Sequence, residues 1–125
     1  MTDYLSLDDL LEVAAGVLPE VAVRDVGLLA SAAERPRMSV YGDDAYPSFP
    51  AKVAALMHSL ARNHPLVDGN KRLAWAGART FCLMNGRDLA YDSVDEAEAF
   101  VLAVAAGEAD LPVMIEWIEA HLTDG

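Results

Sequence analysis

Nine consecutive residues, His64-Pro65-Leu66-Val67-Asp68-Gly69-Asn70-Lys71-Arg72, collect most of the groups in this chain that could handle a phosphate, and the apolar run Leu73 to Met84 follows directly. Asn70 can cap a helix whose first turn is Lys71, Arg72 and Leu73, closing at Asn85-Gly86. The free N–H groups of a first helical turn, with the positive end of the helix dipole, form an anion site, and Gly69 lets a ligand approach the backbone. Lys71 adds a point charge and Arg72 a planar fork suited to phosphate oxygens. In the preceding loop, His64 is of the side-chain type that most often serves as a general base and could take a proton from an attacking hydroxyl. Asp68 offers a hard oxygen ligand of the kind that holds magnesium together with phosphates. Such a set fits phosphoryl or nucleotidyl transfer without a protein nucleophile. Each residue alone also has a plain reading as a loop histidine, an Asp-Gly turn or a helix cap. The combination at fixed offsets would arise by chance at roughly one start in 10⁸.

Other cations could extend the site. Arg62, Lys71, Arg72 and Arg79 fall within one 18-residue window, although the chain has only nine Lys and Arg in all. Collected positive charge suits an anionic small ligand, whereas a solvated surface scatters it. Arg62, two residues before His64, could reach the cradle or could stabilise a helix end. Arg79 lies seven residues after Arg72, on the same helix face, and could support the cradle or pair with a nearby acid.

His64 to Arg72 resembles the core motif of the Fic/Doc superfamily, His-x-Phe-x-(Asp/Glu)-Gly-Asn-(Gly or Lys)-Arg. Lys71 makes it similar to the Doc branch, the death-on-curing toxins of toxin–antitoxin pairs. Gly27-Leu28-Leu29, Arg35-Pro36, Tyr46-Pro47 and Lys52-Val53-Ala54-Ala55-Leu56 are similar in spacing to bacterial Doc-like sequences, so the resemblance covers nearly the whole chain. It implies that His64 is a catalytic base toward a hydroxyl of a target protein, that Asp68 binds Mg2+, and that Asn70, Lys71 and Arg72 hold the phosphates of ATP. With Lys rather than Gly at position 71, it implies transfer of the γ-phosphate to a threonine of elongation factor Tu, with a cognate antitoxin as restraint. AMP or other nucleotidyl transfer, and a non-catalytic nucleotide- or partner-binding module, are the alternatives. Two positions depart from the family: Leu66 stands where Phe is usual, and Ala76 where Doc carries an Asn that contacts nucleotide.

The elements that must position these groups read as an all-α single domain over residues 1–125, about six helices around a central motif helix with a short extended flap. Ser6 caps a first helix to about Ala15, with Leu7, Leu10 and Leu11 inward. Asp25 caps a second over Val26–Glu34, stopped by Arg35-Pro36. Arg37 to Pro50 breaks the pattern. Met38, Val40 and Tyr41 alternate like a strand, Gly42-Asp43-Asp44 and Tyr46-Pro47 are turn chemistry, and the family has a target-aligning flap here, with Tyr41 and Tyr46 as its contacts. Pro50 starts a helix to Asn63, with His58 off its apolar stripe. The motif helix carries Leu73, Trp75, Ala76, Ala78, Phe81, Leu83 and Met84 around most of its circumference, which predicts burial. Trp75 reads as core, with stacking on adenine as the rival. Arg87 to Asp92 is an extended link, Ser93 and Glu96 form a capping box for a helix to Ala106, and Asp110-Pro112 start the last helix, Leu111–Leu122. Asp92, Asp95, Glu96 and Glu98 read as a solvated acidic face and His121 as a frayed helix end.

Bulk properties narrow the function. A net charge of −11 argues against nucleic acid, whose affinity rests on phosphate neutralisation by Lys and Arg. No apolar run reaches membrane-spanning length, and the acidic Met1-Thr2-Asp3 is unlike a signal peptide, so no membrane partner and a cytoplasmic location are expected. Cys82 stands alone in the motif helix and reads as core packing.

Overall fold

A computed structural model describes residues 1–124. The chain forms α1 (Leu7–Val17), α2 (Val26–Glu34), a 3-10 turn (Arg35–Arg37), β1 (Ser39–Val40), β2 (Asp43–Asp44), α3 (Phe49–Arg62), α4 (Asn70–Met84), β3 (Arg87–Leu89), α5 (Val94–Ala105), α6 (Leu111–His121) and β4 (Leu122–Asp124). It is a mostly helical single fold with two small antiparallel strand pairs, β1 with β2 and β3 with β4.

Side-chain caps set five of the six helix starts. Ser6 and Asp9 close a reciprocal capping box, and Asp25, Ser48, Ser93 and Asp110 each accept from a first-turn amide. Their effect is to fix where each helix begins, and α2 begins and ends where Asp25 and Arg35-Pro36 predict. The helix α4 is different: Gly69, at φ +86°, is its N-cap and Asn70 its first residue.

The core lies where α3 meets α4, α6 and α2. Along α3, every residue from Ala51 to Ala61 except His58 is buried, so α3 shares the centre of the bundle with the motif helix. Gly77 permits the close approach of the two, since a Cβ there would come within 3.2 Å of Leu60 Cδ1. On α4, Leu73, Ala74, Ala78, Phe81 and Cys82 are buried, but Leu83 and Met84 are exposed. The apolar circumference expected for α4 is therefore only partly inward, because its outer face has no helix against it at that end.

The link between α4 and α5 is shaped by the chain's far end. Leu89 pairs with Leu122, Asp88 with Thr123 and Arg87 with Asp124, and Leu89 is buried beneath the ladder. On α6, Met114 and Ile118 are the fully buried residues, while Val113 is exposed. Trp117 stacks between Phe100 of α5 (centroids 3.9 Å apart) and His121 (3.7 Å), and Trp75 of α4 meets its edge. Trp75 is thus held by aromatic neighbours on two other elements, Tyr91 and Trp117.

Candidate functional site

Asn70 is the fixed point of the motif loop. Its side chain donates to the carbonyl of Leu66 (3.0 Å) and accepts from the amide of Leu66 (2.9 Å), and the residue is 8% exposed. The amide oxygen and one of its N–H groups thus close the loop 66–70, and the helix cap expected of Asn70 is corrected, since Gly69 takes that position. What Asn70 can offer an anion is its backbone N–H at the start of α4. Leu66, where the family has Phe, is 1% exposed and pins the same loop to the core.

Gly69 is required twice over. Its positive φ favours glycine, and a Cβ would stand 2.6 Å from Leu18 Cδ2. Its amide donates to Asp68 Oδ1 (2.8 Å), which leaves the second carboxylate oxygen of this exposed side chain open. Lys71 and Arg72 are exposed, and Lys71 makes no hydrogen bond or ion pair among the described residues. Arg72 donates to the carbonyl of Val17 (3.3 Å), tying the start of α4 to the end of α1.

These residues open on a cavity of about 1180 Å3. One wall is the α1–α2 link, including Leu18 and Glu20; the floor is Asp68 to Arg72 with Trp75 and Ala76; the opposite wall is α5, including Val94, Glu98 and Leu102. The lining is thus cationic at the helix start and mostly apolar beyond it, with Glu20 and Glu98 as acids in the walls, which suits a ligand with a charged end and a flat apolar one. Ala76, in place of the family's Asn, leaves that part of the floor without a hydrogen-bonding side chain.

His64 is exposed and is not among the residues that line the cavity, and its backbone φ is +50°. Its loop is sewn to the α1–α2 link: the amides of Arg24 and Asp25 both donate to the carbonyl of Pro65 (2.8 and 3.0 Å), and the amide of Val67 donates to Ala22 (2.8 Å). A single bridge pairs Val23 with Leu66.

Two expected cations lie elsewhere. Arg62 donates to the carbonyl of Ala105 (2.9 Å) and sits against Gly107, so it caps the end of α5 instead of reaching the cradle. Arg79 forms a two-pronged pair with Asp88 (2.9 and 3.3 Å). That pair holds the Asp88 carboxyl below its ordinary value, chiefly through the hydrogen bond from Arg79. Position 79 therefore joins α4 to β3, two turns beyond the site.

The flap is a hairpin with Tyr41 and Gly42 as its two-residue turn, both at positive φ. Tyr41 is fully exposed at the tip. Tyr46 is not a free contact as expected: its hydroxyl accepts from Arg35 Nε (2.8 Å), and it belongs to the hairpin's base. Buried Lys52 completes that base by donating to the carbonyl of Tyr46 and to Asp44 Oδ2 (3.3 Å). Sequence reading missed Lys52 and Leu18 as supports; the only signal for Lys52 is a charge set inside the apolar stripe of α3. His121 is not frayed, since Nε2 meets Glu96 Oε1 and Nδ1 meets the carbonyl of Trp117. Glu96 is thereby drawn out of the capping box predicted with Ser93. Cys82 is buried, and burial pushes its thiol up to about 12, which makes it an inert core group.

Among the described residues, no group of three or more His, Cys, Asp or Glu converges as a metal site, and no helix is long and apolar enough to cross a membrane. Residues 4–82 match the model of the Fic/DOC family, a span that includes the whole motif, α1 to α3 and most of α4. A protein of Mycolicibacterium smegmatis (strain ATCC 700084 / mc(2)155) named Toxin Doc is 53% identical over 115 residues, covering 89% of this chain and 87% of that protein. With the motif at the start of α4 and likeness along most of its length, this chain belongs to the Fic/DOC family.

Proposed function

We propose that the protein is the toxin of a toxin–antitoxin pair and acts as a protein kinase, moving the γ-phosphate of ATP to a hydroxyl of a translation factor, with a threonine of elongation factor Tu as the expected acceptor. The observation that carries the reading is the start of α4: free first-turn amides, exposed Lys71 and Arg72, and a cavity that continues along an apolar wall. Phosphates would lie on the amides of residues 70–72 and on the two cations, and the base along Trp75, Ala76 and α5. His64 accepts the proton of the attacking hydroxyl as the new O–P bond forms. The bond to the β-phosphate oxygen breaks, and ADP leaves.

Mg2+ fits the donor set. Asp68 keeps one oxygen open, and a single carboxylate with phosphate oxygens and water is a common magnesium arrangement. When bound, the ion neutralises charge on the phosphates. Phosphoryl transfer is preferred to AMP transfer because the long cation at position 71 occupies room that an α-phosphate would need. The relative's name, Toxin Doc, supports the toxin role and with it an antitoxin partner.

The test is incubation of the purified protein with Mg2+, a bacterial lysate and ATP labelled at either the γ or the α position, followed by mass spectrometry of the labelled band. Label from γ-ATP alone and an added mass of one phosphate are expected, both lost in His64→Ala. Label from α-ATP would establish nucleotidyl transfer instead, and full toxicity of His64→Ala would establish a non-catalytic role.

A further inference from the structure

We infer that Arg24 is a positioning residue for His64, a role that rests on the proposed function of His64 as base. The guanidinium of Arg24 donates from Nε to the carbonyl of His64 (2.7 Å) and from a terminal nitrogen to the carbonyl of Asn63 (2.8 Å). With the amides of Arg24 and Asp25 on Pro65, residues 24 and 25 take up three successive carbonyls, 63 to 65. Planar, charge-assisted donors of this kind fix direction as well as distance.

The need for such a clamp follows from the backbone. His64 has φ +50°, uncommon for a residue with a side chain, and it precedes a proline, which restricts it further. Its ring is exposed and has no hydrogen-bond partner among the described residues. Nothing at the ring itself therefore holds it; what the fold fixes is the Cα–Cβ bond from which its rotamers are built, and that bond is set by the peptide on either side. Arg24 holds both of those peptides, through the carbonyls before and after the His64 Cα. Arg24 is exposed, lies outside the cavity lining and makes no hydrogen bond or ion pair with Asp68 to Arg72, so its side chain acts on the reaction through the peptides on either side of His64.

The test uses full-length protein with Arg24→Ala, Arg24→Lys and His64→Ala, in the γ-labelled ATP assay and by NMR of the histidine rings. The His64 ring signal is assigned by its loss in His64→Ala. In Arg24→Ala the expected result is a 10- to 100-fold drop in kcat with KM for ATP within twofold of the parent. The His64 ring signal and its pH titration move, and those of His58 and His121 stay. Arg24→Lys, which keeps one bond to a carbonyl, is expected to recover part of kcat, and it carries the test should the alanine variant not fold. Parental kcat, or an unmoved His64 ring signal, in a folded Arg24 variant overturns the inference. Transfer that survives in His64→Ala overturns the reading of His64 as base, whatever Arg24 does, so the two failures are distinct.

Discussion

Two residues of the motif do structural work that can be separated from chemistry. Asn70→Ala leaves the amide and carbonyl of Leu66 without partners in a buried loop. It should cost about 2–6 kcal/mol, since each orphaned buried group costs about 1–3, and urea unfolding measures it. Gly69→Ala meets a positive φ first and Leu18 second; because the Leu18 methyls can rotate away, the backbone cost of about 1–3 kcal/mol should dominate. Lys71 behaves oppositely. It is exposed and unpartnered among the described residues, so Lys71→Ala should leave the unfolding midpoint unchanged. In the proposed reading it should weaken ATP binding about 10- to 100-fold, as the loss of one hydrogen bond to a charged group implies, which titration calorimetry reads directly. Sequence spacing found all three positions, but it read Asn70 as the cap of α4, because nothing in the linear order shows that its amide turns back four residues to Leu66.

At the scale of elements, local signals were legible and distant ones were not. Asp25 and Arg35-Pro36 act within one helical turn, and α2 has the limits they predict. The partners of Arg62, Tyr46 and His121 lie 43, 11 and 25 residues away along the chain, and each was misplaced. Ala105, Arg35 and Glu96 become neighbours of those residues only through packing. His58 gives this packing a pH signature. Its Nδ1 faces Arg35 at 2.9 Å, and the guanidinium can only donate, so the ring there is the unprotonated acceptor. Burial first, then the charges of Arg35 and Arg62, hold His58 below its ordinary value of 6.5. Below pH 6.5 the unfolded chain takes up a proton that the folded one resists. The contribution of His58 is therefore intact above that pH and declines as pH falls through the depressed folded value. The melting temperature should fall between pH 7 and 5, and less steeply in His58→Gln; equal slopes in the two proteins would refute the assignment.

Over the whole molecule, the site and the ties to the chain's two ends sit at opposite ends of the motif helix. The start of α4 faces the cavity, whereas its end is tied down by Arg79–Asp88, by Asn85 bonded to the backbone of Asp3, and by the β3–β4 ladder beyond. Fifteen residues of helix separate the two by about 20 Å. Removing everything after His121 deletes the ladder and uncovers Leu89, now 1% exposed, at an expected cost of about 2–3 kcal/mol from lost strand hydrogen bonds and apolar cover. The helix α6 keeps Met114 and Ile118 in the core and Trp117 between Phe100 and His121, so it stays docked. The shortened protein should unfold in one transition at lower urea concentration and bind ATP as the parent does. Loss of binding in a folded truncation would mean that the far end of α4 governs its start, and that the cradle depends on the whole bundle instead of on the loop closed by Asn70.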